Sequence, residues 1–213
     1  MTDGMGLRER KKARLRETIA ATAIRLFLKS GFDRVSITDI AREAEVSRRT
    51  LFAYFPTKED LLLQRFADHE DEAARTVRAR RTDQPPLDAL RQALLDALRR
   101  RDPSTALNDD PEIMAFLRLI TGTESLAARM MRYTSRGAET LAEALRDAGF
   151  DPLTARLTAA QVIVAQRELV LMNHERLADG ESADERYPEA VRATNRAFDL
   201  LRDGLESTSR RDR

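Results

Sequence analysis

The chain has no cysteine and no tryptophan among its 213 residues, and only two histidines, His69 and His174. Without thiols there is no disulfide and no thiolate nucleophile, which fits a reducing compartment. Two imidazoles so far apart in sequence make a poor transition-metal set, so neither a metal nor a cofactor is expected. There is no glycine-rich phosphate loop, no nucleophile elbow and no pair of carboxylates at a recognisable site. Enzyme chemistry is therefore not expected. No apolar run approaches ~18 residues, and the basic N-terminus is not followed by an apolar signal core, so the expected location is cytoplasmic. Lysine is also scarce: Lys11, Lys12, Lys29 and Lys58 are all there is, and arginine supplies the other cations.

What remains is a polar, helix-forming sequence with enough apolar content, 42%, to bury a core. Charge is unevenly spread. Residues 1–60 hold 13 Lys and Arg against 9 Asp and Glu, a surplus of four; the whole chain carries +1, which leaves about −3 for residues 61–213. A general polyanion binder would be more lopsided. Any affinity of the basic part for nucleic acid must lean on oriented contacts.

Residues Val35 to Lys58 spell two short amphipathic helices and a tight bend. Ser36 is placed as an N-cap, with Asp39 three positions on completing a box. Ile37, Ile40, Ala41 and Ala44 then fall on one stripe. Glu45 and Val46 form the bend, and Ser47 caps the next helix, which buries Leu51 and Phe55. At about 100° per residue, Arg49 and Ala53 lie opposite that buried line, with Thr50 and Phe52 on its flanks and Arg48 nearer the buried side. Pro56 ends the helix, and Thr57 with Asp60 caps the following one. Two adjacent arginines at a helix N-terminus oppose the macrodipole by a few tenths of a kcal/mol, up to about 1. Their presence points to an anion nearby, and the guanidinium fork matches O6 and N7 of guanine. The geometry is a helix-turn-helix for double-stranded DNA.

Ahead of it, Leu15, Ile19, Ala23 and Leu26 mark a first helix over Leu15 to Ser30, stopped at Gly31 with Phe27 and Phe32 placed for a capping contact. Arg8, Arg10, Lys11, Lys12, Arg14 and Arg16 form a basic arm before it. Such an arm is either a frayed, solvated terminus or a contact to phosphate and minor groove.

Residues 10–63 resemble the N-terminal domain of the tetracycline-repressor (TetR) family of bacterial transcription regulators. The matching features are Gly31-Phe32, Ile37-Thr38-Asp39-Ile40-Ala41, Val46-Ser47, Thr50-Leu51-Phe52 and Tyr54 through Leu62. The resemblance implies an all-α homodimer that binds a palindromic operator, usually represses, and lets go when a small-molecule effector enters the C-terminal domain. Carried over by position, it implies base reading by Arg48, Arg49 and Ala53, with Thr50 and Phe52 at the groove edge. Thr38, Ser47, Tyr54 and Lys58 fall at phosphate-contacting positions. One departure stands out: Glu45 occupies a bend position where the family often has Gly. If that position needs φ > 0, glutamate costs about 1 kcal/mol there.

The expected architecture is all-α with about nine helices: a helix-turn-helix DNA-binding domain over 1–57 and a helical effector and dimerisation bundle over 58–213. A fourth helix is expected from Lys58 to about Arg80, and others are punctuated by Pro85-Pro86, Asp102-Pro103, Asp110-Pro111, Gly149 and Asp151-Pro152. The eighth, reaching about Leu177, is apolar around much of its circumference and must be covered on more than one side. It is either an internal helix of a monomer or, with the last helix, the dimer interface. Candidate effector-pocket residues are Met114, Arg118, Met130, Tyr133, Arg167 and Asn173, although Met and aromatics at this spacing are more often plain core. The stripe Leu153, Leu157, Ala160, Val164 leads to Arg167 or Glu168. A buried Arg167 would need an anion: Glu168 of a second copy, Glu124 or a ligand acid. Gly137 leaves room either for a ligand or for a close helix crossing. The alternative to a ligand-released repressor is an effector-independent DNA-binding or nucleoid protein whose C-terminal domain binds a protein partner.

Overall fold

The computed structural model describes residues 6–211, with side chains for all of these except 65–68 and 206–211. The outermost residues of the two expected domains, 1–5 and 212–213, lie outside the described residues. Among the described residues there are ten α-helices and no strand. They fall into two compact units, one running up to Asp68 and including Arg118–Met130, the other His69–Leu117 with Met131 onward.

In the first unit, α1 (Leu7–Ser30), α2 (Ile37–Glu43) and α3 (Arg48–Tyr54) are followed by α4 (Lys58–His69). Helix α1 begins eight residues earlier than the sequence suggests, so the basic segment from Arg8 to Arg14 is helical, not a frayed arm. No proline or glycine interrupts it after Gly6, and Arg, Lys, Glu and Ala are all strong helix formers. Ile19, Ala20, Ala23 and Phe27 form its buried line, and Leu15 and Leu26 are half-buried. The helix stops where Gly31 takes φ +85° and ψ 150°, a conformation open to glycine alone. Phe27 and Phe32 then pack with ring centroids 4.9 Å apart.

Capping in this unit follows the sequence closely. The Ser36 hydroxyl accepts the Asp39 N–H at 3.1 Å, while the Asp39 carboxylate accepts the Ser36 N–H at 3.2 Å. The end of α2 is a Schellman turn: Val46 N–H donates to Ala41 O and Glu45 N–H to Arg42 O, with Glu45 at φ +53°. At the head of α4, Thr57 N–H donates to Asp60, and Asp60 N–H donates to the Thr57 hydroxyl. Asp60 itself is buried and takes a two-pronged guanidinium contact from Arg129, at 3.0 Å on each prong.

The second unit contains α5 (Glu72–Ala79), α6 (Pro86–Arg99), a 3-10 turn (Pro103–Thr105), part of α7 (Pro111–Thr121), most of α8 (Glu124–Asp147), α9 (Pro152–Ala178) and α10 (Ala183–Arg211). The long fourth helix expected to reach Arg80 is thus two helices, which raises the count from nine to ten. The interruption falls at Glu70-Asp71, where a backbone carbonyl comes so close to α8 that a Cβ at Gly137 would sit 3.0 Å from Glu70 O. Gly137 therefore serves a close backbone crossing. Burial pushes the Glu70 carboxyl above its usual range, against the pull of Arg136 4.0 Å away.

Two apolar clusters fill this unit. One joins Ala74, Val77, Leu87, Leu90, Leu141, Leu145, Ala159, Val162 and Phe198; the other joins Leu98, Leu107, Met114, Leu177, Ala183 and Ala190. Helix α9 presents Ala155, Thr158, Ala159 and Val162 to the core, whereas Leu153, Leu157, Val164 and Met172 are exposed. Its two apolar stripes face opposite ways. Leu200 of α10 is exposed as well, and a shallow groove lined by Ala160, Val164, Ala197 and Leu200 runs between the two helices.

Candidate nucleic-acid interface

Helix α3 is short, and its seating on the core is what orients it. Leu51 and Phe55 are essentially fully buried, one turn apart. The Arg16 guanidinium lies over the Phe55 ring at 5.7 Å. The Ser47 hydroxyl accepts the Thr50 N–H at 2.9 Å and shares a 2.7 Å hydrogen bond with the Thr50 hydroxyl, fixing the first turn. With that line down, Arg48, Arg49, Phe52 and Ala53 are exposed. Arg48, nearer the buried side on the helical wheel, is exposed, as a long stem at a helix start allows.

Neither Arg48 nor Arg49 has a carboxylate partner among the described residues, and the first turn of α3 has no acid. The nearest helices behave differently: Arg42 is held by Asp39 at 2.6 Å and Arg25 by Glu43 at 2.7 Å. Two uncompensated guanidinium groups at a helix N-terminus, beside an exposed aromatic ring, form a surface for an anion with flat, hydrogen-bonding edges. Phe52 offers an apolar edge of the kind that meets a thymine methyl.

The supporting positions differ in what they are free to do. Thr38 is exposed on α2 and Tyr54 is half-buried on α3. Ser47 and Thr50 spend hydrogen-bonding capacity on the cap described above. Lys58 donates to Phe32 O at 2.5 Å and stands over the Phe32 and Phe27 rings at 4.4 and 5.6 Å. Burial pushes its ammonium below the usual lysine range, with Asp33 and Glu59 opposing. It is thus partly a fastener between α4 and the end of α1, with two of three donors still unassigned.

The six residues read as an effector pocket are dispersed in character. Met114 belongs to the second apolar cluster of its unit. Arg118 is exposed, and Met130 and Tyr133 are half-buried. Arg167 is exposed and reaches only its neighbour Glu168, at 3.4 Å, which corrects the expectation that it is buried. The stripe leading to it is real, but it is the outward stripe of α9. Asn173 is buried; its amide donates to Thr105 O at 3.1 Å and its oxygen accepts from Arg186 at 3.2 Å. Sequence reasoning missed Arg186, Arg129 and Asp60 as members of buried polar contacts. Arg186 carries a readable signal, since it sits three residues after Ala183 and four before Ala190, both core positions.

Comparison with known proteins follows the same division. Residues 19–64 match the family described as bacterial regulatory proteins, tetR family. The chain is 32% identical to the HTH-type transcriptional regulator TcmR of Streptomyces glaucescens over 131 residues, covering 61% of this chain and 58% of TcmR. It is 29% identical over 140 residues to the transcriptional regulator MftR of Mycobacterium tuberculosis, covering 62% and 71%. In fold it is similar to NalD of Pseudomonas aeruginosa, the secondary repressor of the MexAB-OprM multidrug efflux pump, with 18% identity, 87% and 96% coverage and a TM-score of 0.56. A TetR transcriptional regulator from Rhodococcus sp. RHA1 is similar in fold too, at 20% identity, 90% and 97% coverage and a TM-score of 0.53. Residues 19–64 thus carry the helix-turn-helix segment of the tetR family of bacterial regulatory proteins, and the chain as a whole shares the all-helical fold of such regulators while spanning 58% of the length of TcmR.

Proposed function

We propose that the chain is a sequence-specific DNA-binding transcriptional repressor, acting as a homodimer on a palindromic operator and released by a small-molecule effector. The observation that carries the DNA part is the pair Arg48 and Arg49, both exposed and without carboxylate partners on a helix seated by Leu51 and Phe55. In this reading Arg48, Arg49 and Ala53 read bases, with Phe52 at a thymine methyl. Thr38, Tyr54, Ser47, Thr50 and Lys58 hold phosphates or brace the helix. The exposed face of α9 and α10 is covered by a second copy, because one seven-residue helix reads too few bases and two half-sites combine their discrimination. No helix among the described residues is long and apolar enough to cross a membrane. The proposed place of action is the bacterial cytoplasm, on DNA.

The test is to sequence genomic DNA fragments retained by the purified protein in moderate salt. An enriched inverted repeat, with half-sites a helical turn or more apart, is expected. Retention of fragments without any shared sequence would overturn the reading.

A further inference from the structure

The head of α4 is held by several contacts, and one of them comes from far along the chain. Asp60 is buried, and its Oδ2 accepts the Thr57 N–H at 3.1 Å while its own N–H donates to the Thr57 hydroxyl at 3.2 Å. On the same carboxylate Arg129, 69 residues away, donates from Nε to Oδ1 and from Nη2 to Oδ2, each at 3.0 Å. Both side chains of this pair are largely withdrawn from water, at 25% and 11% exposed, whereas Arg81–Asp83 and Arg192–Glu189 lie open on the surface. Surface pairs of that kind contribute little. A buried carboxylate gripped by a planar fork is fixed in both position and orientation. Arg129 is itself anchored, because Leu126, one turn earlier on α8, is fully buried.

We propose that Arg129 is a positioning residue for the reading of DNA bases by α3. Its role rests on the DNA contacts proposed above for α3 and lies outside the helix-turn-helix itself. The path between them is short. Asp60 fixes Thr57, and only Pro56, whose ring locks its φ, separates Thr57 from Phe55. Phe55 is the buried C-cap that seats α3 beside Leu51, with the Arg16 guanidinium 5.7 Å from its ring. A helix of seven residues has little stiffness of its own, so the placement of its last turn decides where Arg48, Arg49 and Ala53 point. Loss of the fork leaves the Thr57–Asp60 cap in place but lets the carboxylate turn toward water, and Thr57 turns with it. Contacts to base edges need exact placement, while contacts to phosphate through long side chains tolerate a shift. Discrimination between sequences is therefore what Arg129 protects.

The test uses the full-length protein with the inverted repeat enriched from genomic fragments, against a scrambled duplex of equal length and composition at the same salt. The ratio of the two affinities is measured well below Tm, together with its salt dependence. Arg129→Lys keeps the charge and gives up the two-pronged geometry, and Arg129→Gln gives up both. The ratio is expected to fall about tenfold or more in each, the size of one impaired base contact, with non-specific affinity and its salt slope unchanged. Asp60→Asn can still accept the Thr57 N–H and is expected to lower the ratio likewise. Combined with Arg129→Gln it should lower the ratio no further than the worse single change. A purely structural role would lower Tm and leave the ratio intact, so that outcome overturns the proposal, as does an equal loss on both duplexes. Arg129→Lys decides between these outcomes even where Arg129→Gln does not fold. Absence of any preferred sequence in the unsubstituted protein is a different failure, which removes the proposed DNA contacts and the role of Arg129 with them. A preference retained in full by Arg129→Lys removes the role of Arg129 alone.

Discussion

Arg49 leaves α3 on the side opposite Leu51, with nothing acidic to hold it. Removing it should affect recognition and leave folding alone. Arg49→Ala is expected to cost about 1–3 kcal/mol of operator binding and to relax base preference at one pair per half-site. Binding titrations against single-base operator variants would show this; unchanged preference would mean that α3 meets DNA by another face. Glu45 makes the opposite case, a residue whose conformation is dictated by its place. At φ +53° it fills the left-handed position of a Schellman turn that favours Gly or Asn. Gly would relieve the strain but loosen the unfolded chain, so the informative change is Glu45→Asn. It is expected to stabilise by roughly 0.5–1 kcal/mol in urea unfolding, and a loss of stability would show that the glutamate side chain is needed.

Helix caps give the chain an acid limit. Hydrogen bonds within the caps hold the carboxyls of Asp39 and Asp151 below their ordinary value of 3.8, and that of Glu185 below 4.5, through Ser36, Thr154 and Ser182. A depressed folded pKa stabilises at pH above the ordinary value, and the gain is lost as pH falls through the lower folded one. Helical circular dichroism should hold above pH 4.5 and decline as pH falls below 3.8, and Asp39→Asn with Asp151→Asn should flatten that decline. A tighter steric constraint lies at Gly137. An added methyl would meet a backbone carbonyl at 3.0 Å, so Gly137→Ala is expected to cost about 1–3 kcal/mol in denaturant unfolding. An unchanged midpoint would mean that the crossing is loose.

These same elements show what could be read in advance. The caps at Ser36, Ser47 and Thr57 are local, three-residue chemistry, so α2, α3 and the start of α4 were legible along with their exposed faces. The break at Glu70-Asp71 was not, because it depends on a carbonyl approaching a helix more than sixty residues away. Periodicity likewise showed α9 to be apolar around much of its circumference but could not say which side faced the core, and so misjudged Arg167.

For the molecule as a whole, the surface proposed to meet a second copy is the outward face of the last two helices. Leu153 and Leu200 are each about two-thirds exposed, at 67% and 66%, with Leu157 and Val164 at half. Apolar side chains aligned on one face rather than scattered mark an interaction surface. Leu157→Asp is expected to yield monomers in sedimentation velocity, with helical content kept and operator affinity sharply reduced. A dimer of undiminished strength would place the interface elsewhere.

Under the proposed pairing, that open face also makes abundance a variable of the protein's behaviour. When the exposed stripe finds its counterpart only in a second copy, dilution strips away part of what keeps each chain folded, and melting temperature climbs with concentration. At low copy number, occupancy of a two-fold site would then grow with roughly the square of protein level. A modest change in synthesis would become a sharp change in output, through nothing more than leucines and a valine left facing water.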